Sequence, residues 1–121
     1  MTITKAHQWF QELGRIWLEK DIVALRHIVA DEFQYYEDPF QPPITTWEEL
    51  EAVWQEVHDQ HIESLSIEIL IEDDVRGLAR YEFVCTDPVG TKHHSRGAHY
   101  VKLDEKGRAI EFRQWWTTKT C

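Results

Sequence analysis

The stretch Ile62–Cys85, IESLSIEILIEDDVRGLARYEFVC, decides the fold. Leu65, Ile67, Ile69 and Ile71 alternate with Ser64, Ser66, Glu68 and, less cleanly, Leu70, and a period of two marks a half-buried strand. Asp73-Asp74 turns the chain. Gly77, Ala79, Tyr81, Phe83 and Cys85 then alternate with Arg80 and Glu82 on a second long strand. Outward toward the C-terminus, Pro88-Val89-Gly90 is the next turn, a third strand runs over 91–103, Glu105-Lys106-Gly107 turns again, and a fourth strand runs over 109–117. The second half of the chain therefore reads as an antiparallel meander.

Toward the N-terminus the period becomes helical. Ala6, Trp9, Phe10, Leu13, Ile16 and Trp17 share one face of a first helix capped by Thr4 or Thr2. After the Glu19-Lys20-Asp21 break, a second short helix turns Ile22, Leu25, Ile28 and Val29 inward. Phe33 to Tyr36 is aromatic and too short for a helix before Pro39, so it reads as a strand, and Pro42-Pro43 ends it. Thr46-Trp47-Glu48-Glu49 has the spacing of a capping box, which opens a third helix striped by Trp47, Leu50, Val53, Trp54 and Val57. Helices followed by long antiparallel strands give an α+β class and a single domain over 1–121.

Composition narrows the function. An excess of 22 acidic over 13 basic residues gives a net charge of −9, which repels phosphate backbones and anionic lipid, so neither nucleic acid nor a membrane surface is an expected partner. The N-terminus has no apolar signal-like core, and no run approaches the roughly 18 apolar residues of a membrane span. Two cysteines, Cys85 inside a strand and Cys121 at the last position, do not form a disulfide framework, and a cytoplasmic compartment is expected. No glycine-rich phosphate loop or activated serine or cysteine motif is present. His93 and His94 are adjacent on a strand and point to opposite faces, and no cysteine or helical histidine pair joins them, so no metal and no cofactor are expected.

The order helix, helix, short strand, helix, long antiparallel strands resembles the nuclear transport factor 2-like superfamily, the cone of helices on a curved antiparallel sheet shared by SnoaL-type polyketide cyclases and ketosteroid isomerases. The resemblance rests on Ala30-Asp31, on Tyr36-Glu37-Asp38-Pro39, on the helix carrying Trp54, and on Gly107-Arg108-Ala109-Ile110-Glu111-Phe112-Arg113-Gln114-Trp115-Trp116. It implies that Asp38 stands where ketosteroid isomerases carry their base, with His99 at the position of the second acid. The family's oxyanion tyrosine falls near Leu13, which cannot donate a hydrogen bond, so steroid isomerisation itself is not expected. The resemblance also implies a homodimer paired through the sheets.

Asp38 and His99 are thus the candidate catalytic pair, a carboxylate orienting an imidazole that removes a proton next to a carbonyl. The competing reading makes Asp38 a cap on the turn that follows it and His99 an ordinary strand residue. With His99 inward, Ser95, Gly97 and Val101 share its face, and the matching inward set on the last strand is Ile110, Phe112, Gln114 and Trp116. Tyr36, Trp54, Tyr81 and Phe83 complete an aromatic wall with a few polar groups. The expected partner is an apolar or aromatic small molecule, isomerised, dehydrated or cyclised without a cofactor; the alternative is a non-catalytic ligand-binding or dimerisation module.

Overall fold

The computed structural model describes residues 3–121; Thr2, one of the two expected caps, lies outside the described residues. Helix α1 (Lys5–Glu19) starts at Thr4, whose hydroxyl accepts the His7 N–H at 3.0 Å. Its buried face is Ala6, Trp9, Phe10, Leu13, Ile16 and Trp17, the stripe expected from the spacing. The helix stops at Lys20, in the left-handed region at φ 58°, whose N–H returns to the Ile16 carbonyl. The Asp21 carboxylate then caps α2 (Ile22–Ile28) through the Ala24 N–H. Strand β1 follows at once, as Val29–Tyr36. Val29 therefore belongs to the strand rather than to the helix, because its backbone pairs with Ala109 in the sheet.

Thr46 caps α3 (Trp47–His58), its hydroxyl accepting the Glu49 N–H at 3.3 Å and donating to the Glu49 carboxylate at 3.0 Å, so the glutamate returns to the cap's side chain rather than to its backbone N–H as in the expected capping box. Strands β2 (His61–Glu72), β3 (Arg76–Thr86), β4 (Lys92–Leu103) and β5 (Ala109–Thr120) complete the chain. They form one open five-stranded sheet in the order β1-β5-β4-β3-β2. The meander β2 to β5 is antiparallel, whereas β1 adds to β5 in parallel, which the local periodicity did not reveal.

Two local features set which side chains face the helices. At the β4–β5 bulge the register passes from Lys102↔Glu111 to Leu103↔Ala109, leaving Ile110 without a partner. Ala109 and Phe112 therefore both turn inward, while Ile110, expected on the inner face, is only half-buried. At Gly97 the backbones of β4 and β5 approach so closely that a Cβ would sit 1.8 Å from the Trp115 carbonyl oxygen. Helices and concave sheet face enclose Phe10, Leu13, Ile16, Leu25, Leu50 and Val101 almost completely, each of the larger side chains contributing about 1.5–3 kcal/mol. Among the described residues no helix is long and apolar enough to cross a membrane.

Candidate functional site

The core does not fill the cone. A cavity of about 320 Å³ remains between α1, α3 and the inner faces of β1, β3, β4 and β5, near the lower end of the roughly 300–1,000 Å³ typical of ligand pockets. A wider hollow of about 670 Å³ runs along α1 and β2, lined by Gly14, Leu65, Ile67 and Ile69 among others. Chemistry rather than size separates the two. Four buried side-chain polar atoms lack a hydrogen-bond partner among the described residues: Trp17 Nε1, Trp54 Nε1, Gln60 Oε1 and His99 Nδ1. All four residues line the smaller cavity, and none lines the wider one. Buried polar groups are paired in the great majority of cases, so such a cluster singles out this cavity as one whose lining calls for water or a ligand to complete it.

His99 is the deepest of these groups, with no exposed surface. Strand pairing sets it opposite Gln114, whose Oε1 lies 3.0 Å from its Nε2, while the Gln114 amide nitrogen donates to the Glu37 carbonyl at 3.4 Å. This network fixes the tautomer: Nε2 carries the proton and Nδ1 presents a free lone pair. The ring stacks on Tyr81 at 4.1 Å and lies against Trp17 and Phe112. Burial among these rings pushes its pKa from 6.5 down to about 3, only partly offset by the bond to Gln114. At neutral pH His99 is a neutral acceptor with little basicity.

Two carboxylates line the cavity, Glu37 and Glu56, and Glu37 is the one held among its aromatic rings. Its carbonyl is held by Gln114 and by the Trp116 indole at 3.2 Å, which fixes the backbone at the rim. Burial, followed by the neighbouring charges of Glu56 and Asp38, raises its carboxyl above the usual carboxylate range. Burial likewise raises the Tyr35 and Tyr81 phenols, which remain neutral donors, and the Trp54 N–H lies near the Tyr35 hydroxyl without completing a hydrogen bond.

Several solved structures share this arrangement of helices and sheet. A Mycobacterium tuberculosis protein, RV0760c, superposes with a TM-score of 0.89 at 13% identity, covering 100% of this chain and 99% of that one. Δ5-3-ketosteroid isomerase from a Mycobacterium species superposes at 0.86 with 14% identity over 98% of this chain and 100% of its own. The chain has the nuclear transport factor 2-like fold. A computationally designed 17-OHP binder is similar as well, at 0.87 and 14% identity over 98% and 100% of the two chains. No protein-family model matches the sequence, and no curated protein matches it.

Within this nuclear transport factor 2-like cone, the cavity brings together Trp54, Tyr81, Phe83, His99, Phe112, Gln114 and Trp116. Tyr36 and Asp38 are not among its lining residues. β1 enters the sheet with the opposite phase from that expected. Tyr35 pairs with Phe112 and stacks on it at 4.6 Å, so Tyr35 and Glu37 face the cavity, and Tyr36 faces away under the Arg113 guanidinium at 4.0 Å. The Asp38 carboxylate accepts the Phe40 N–H at 2.8 Å and so caps the turn before Pro42, the competing reading of that residue. It makes no hydrogen bond to His99, whose Nδ1 has no partner. Among the lining residues that sequence reasoning missed are Tyr35, Glu37, Glu56, Gln60 and, on α1, Trp17. His93 and His94 each bond a carboxylate, Asp87 at 2.9 Å and Glu82 at 2.6 Å.

Proposed function

We propose that this protein binds an apolar or aromatic small molecule carrying an oxygen function, and that Glu37 moves a proton on it without a cofactor. The observation that carries this reading is the gathering of all four unpartnered buried polar atoms on one aromatic cavity. A hydroxyl or carbonyl oxygen lodged there accepts from the Trp17 or Trp54 indole, and a hydroxyl also donates to His99 Nδ1. Glu37, with its raised pKa and aromatic surroundings, has the character of a general base for a carbon acid next to a carbonyl. Glu37 thus takes the base position that the resemblance implied for Asp38, and the roles within the expected pair are exchanged, His99 being the orienting acceptor rather than the group that removes the proton. Isomerisation, dehydration and cyclisation are the reaction classes that such a proton transfer serves. The names of the similar structures support small-molecule binding: one is the designed 17-OHP binder, and RV0760c has been seen in complex with estradiol-17beta-hemisuccinate.

The test uses 2-tetralone, a bicyclic ketone with acidic α-protons. Calorimetry measures its binding, and NMR in deuterium oxide follows exchange of its α-protons. The expected result is saturable binding and catalysed exchange that Glu37→Gln abolishes while binding persists. Binding with no catalysed exchange leaves a ligand-binding module and removes the catalytic step. Absence of binding by this and by related bicyclic alcohols overturns the reading.

A homodimer through the outer face of the sheet belongs to the same proposal. Trp115 supports it, standing 41% exposed on β5 beside Arg113 and across from Ala98.

A further inference from the structure

The lining of the cavity is one-sided in charge. It holds two carboxylates, Glu37 and Glu56, and no lysine or arginine. Of its two histidines, His93 is bonded to Asp87 and His99 is buried and neutral. The Lys20 ammonium donates to the Gln60 backbone carbonyl and does not line the cavity. Two of the four unpartnered buried atoms, Gln60 Oε1 and His99 Nδ1, are acceptors that call for N–H or O–H donors. The walls are the faces and edges of Trp17, Trp54, Tyr81, Phe83, Phe112 and Trp116, and aromatic faces attract cations.

We propose, resting on the cavity-binding reading above, that the natural ligand carries a cationic amine. Its ammonium sits at the rim against Glu37 and Glu56 with an N–H on Gln60, and its apolar body lies among the aromatic rings with a polar group reaching His99. Two like charges facing one partly desolvated space, with no lysine or arginine lining it, penalise each other, and a bound ammonium relieves that penalty. A carboxylated or phosphorylated ligand meets the reverse: its charge is desolvated beside two anions and answered only by indole and phenol donors. The site thus selects by charge at the rim and by shape and hydrogen bonding in the interior.

The experiment compares three ligands on one scaffold, 2-naphthylmethylamine, 2-naphthalenemethanol and 2-naphthoate, by isothermal titration calorimetry at pH 7. The ammonium is expected to bind about ten-fold more tightly than the alcohol, a gain of the size of one desolvated cation–aromatic contact or ion pair, and the carboxylate more weakly than both. In Glu37→Gln/Glu56→Gln the ratio of the ammonium's affinity to the alcohol's is expected to collapse from about ten-fold toward one, and a ratio that persists overturns the charge selection. If that double variant does not fold, Glu56→Gln alone, at an exposed position, is expected to reduce the preference. An alcohol or carboxylate that binds as tightly as the ammonium overturns the charge selection and leaves the cavity reading standing. Absence of heat from all three overturns both.

Discussion

Protonation of His99 is the most direct quantitative handle on the site. Its imidazole is fully buried, and its pKa falls from 6.5 in the unfolded chain to about 3 in the fold. A base with a lowered folded value takes up its proton more readily when the chain unfolds. Its contribution to stability is therefore complete above pH 6.5 and is lost progressively as the pH falls toward 3. Over the whole window this single group accounts for about 5 kcal/mol, and between pH 7 and pH 5 for about 2 kcal/mol. The carboxylates held below their usual range, Asp73, Glu82, Asp87 and Asp104, act at lower pH and stay out of that interval. Glu37, with its raised pKa, works in the opposite sense, its contribution being lost as the pH rises. A comparison of the native chain with His99→Gln, both carrying Glu37 and the other histidines, removes these shared effects. Urea unfolding followed by tryptophan fluorescence at pH 7, 6 and 5 is expected to show the native midpoint falling by about 1 M more than that of the variant. Parallel midpoints in the two proteins would refute the argument that His99 is held neutral by burial.

The remaining predictions concern the sheet. Gly97→Ala forces a methyl group against the Trp115 carbonyl, and because the obstacle is backbone, a loss of about 3 kcal/mol or more is expected, read as a fall of roughly 10 °C in the thermal midpoint. An unchanged melt would mean that β4 and β5 are not so closely apposed. For the dimer, light scattering at micromolar concentration is expected to give twice the chain mass, and Trp115→Glu to give a folded monomer, because a single unpaired charge in an interface disfavours association. A native monomer would dispose of the sheet-to-sheet pairing.

Much of the architecture was legible because the strands with one buried face declare themselves. The alternation over Leu65 to Ile69 and over Gly77 to Cys85 reproduces the pairing of β2 and β3, but it breaks at the bulge after Ile69, so that Ile71, expected on the buried face, stands exposed; alternation on β4 places His99 inward beside Val101. The site was harder to read at β1. There, phase decides everything, and a one-residue slip exchanges Tyr36 and Asp38 for Tyr35 and Glu37. One signal was available: Phe33 is apolar and Gln34 polar, so odd positions belong inside, but the run is short and its neighbour on the sheet lies far along the chain. The acidic residue beside proline drew attention to Asp38, and the same proline turn is what consumes its carboxylate. Glu56 lies in the last turns of α3 and Gln60 just beyond them, and their place on the cavity beside Glu37 is a tertiary fact with no local sequence signal. The β5 bulge moved Ile110 for the same kind of reason, since a bulge breaks the period that the reading relied on.

The parallel joining of β1 to β5 gives the binding site a place in time. Antiparallel neighbours β2 to β5 meet across short turns and can assemble as the chain emerges, whereas Tyr35 must wait for Phe112 across more than half of the sequence. Until that late closure, the rings of both residues, Glu37 and the carbonyl that Gln114 and Trp116 grip have no fixed positions relative to one another. During synthesis, then, the scaffold precedes the pocket, and a chain made only as far as β4 exposes the aromatic face of Tyr81 and Phe83 with no receptor yet formed on it.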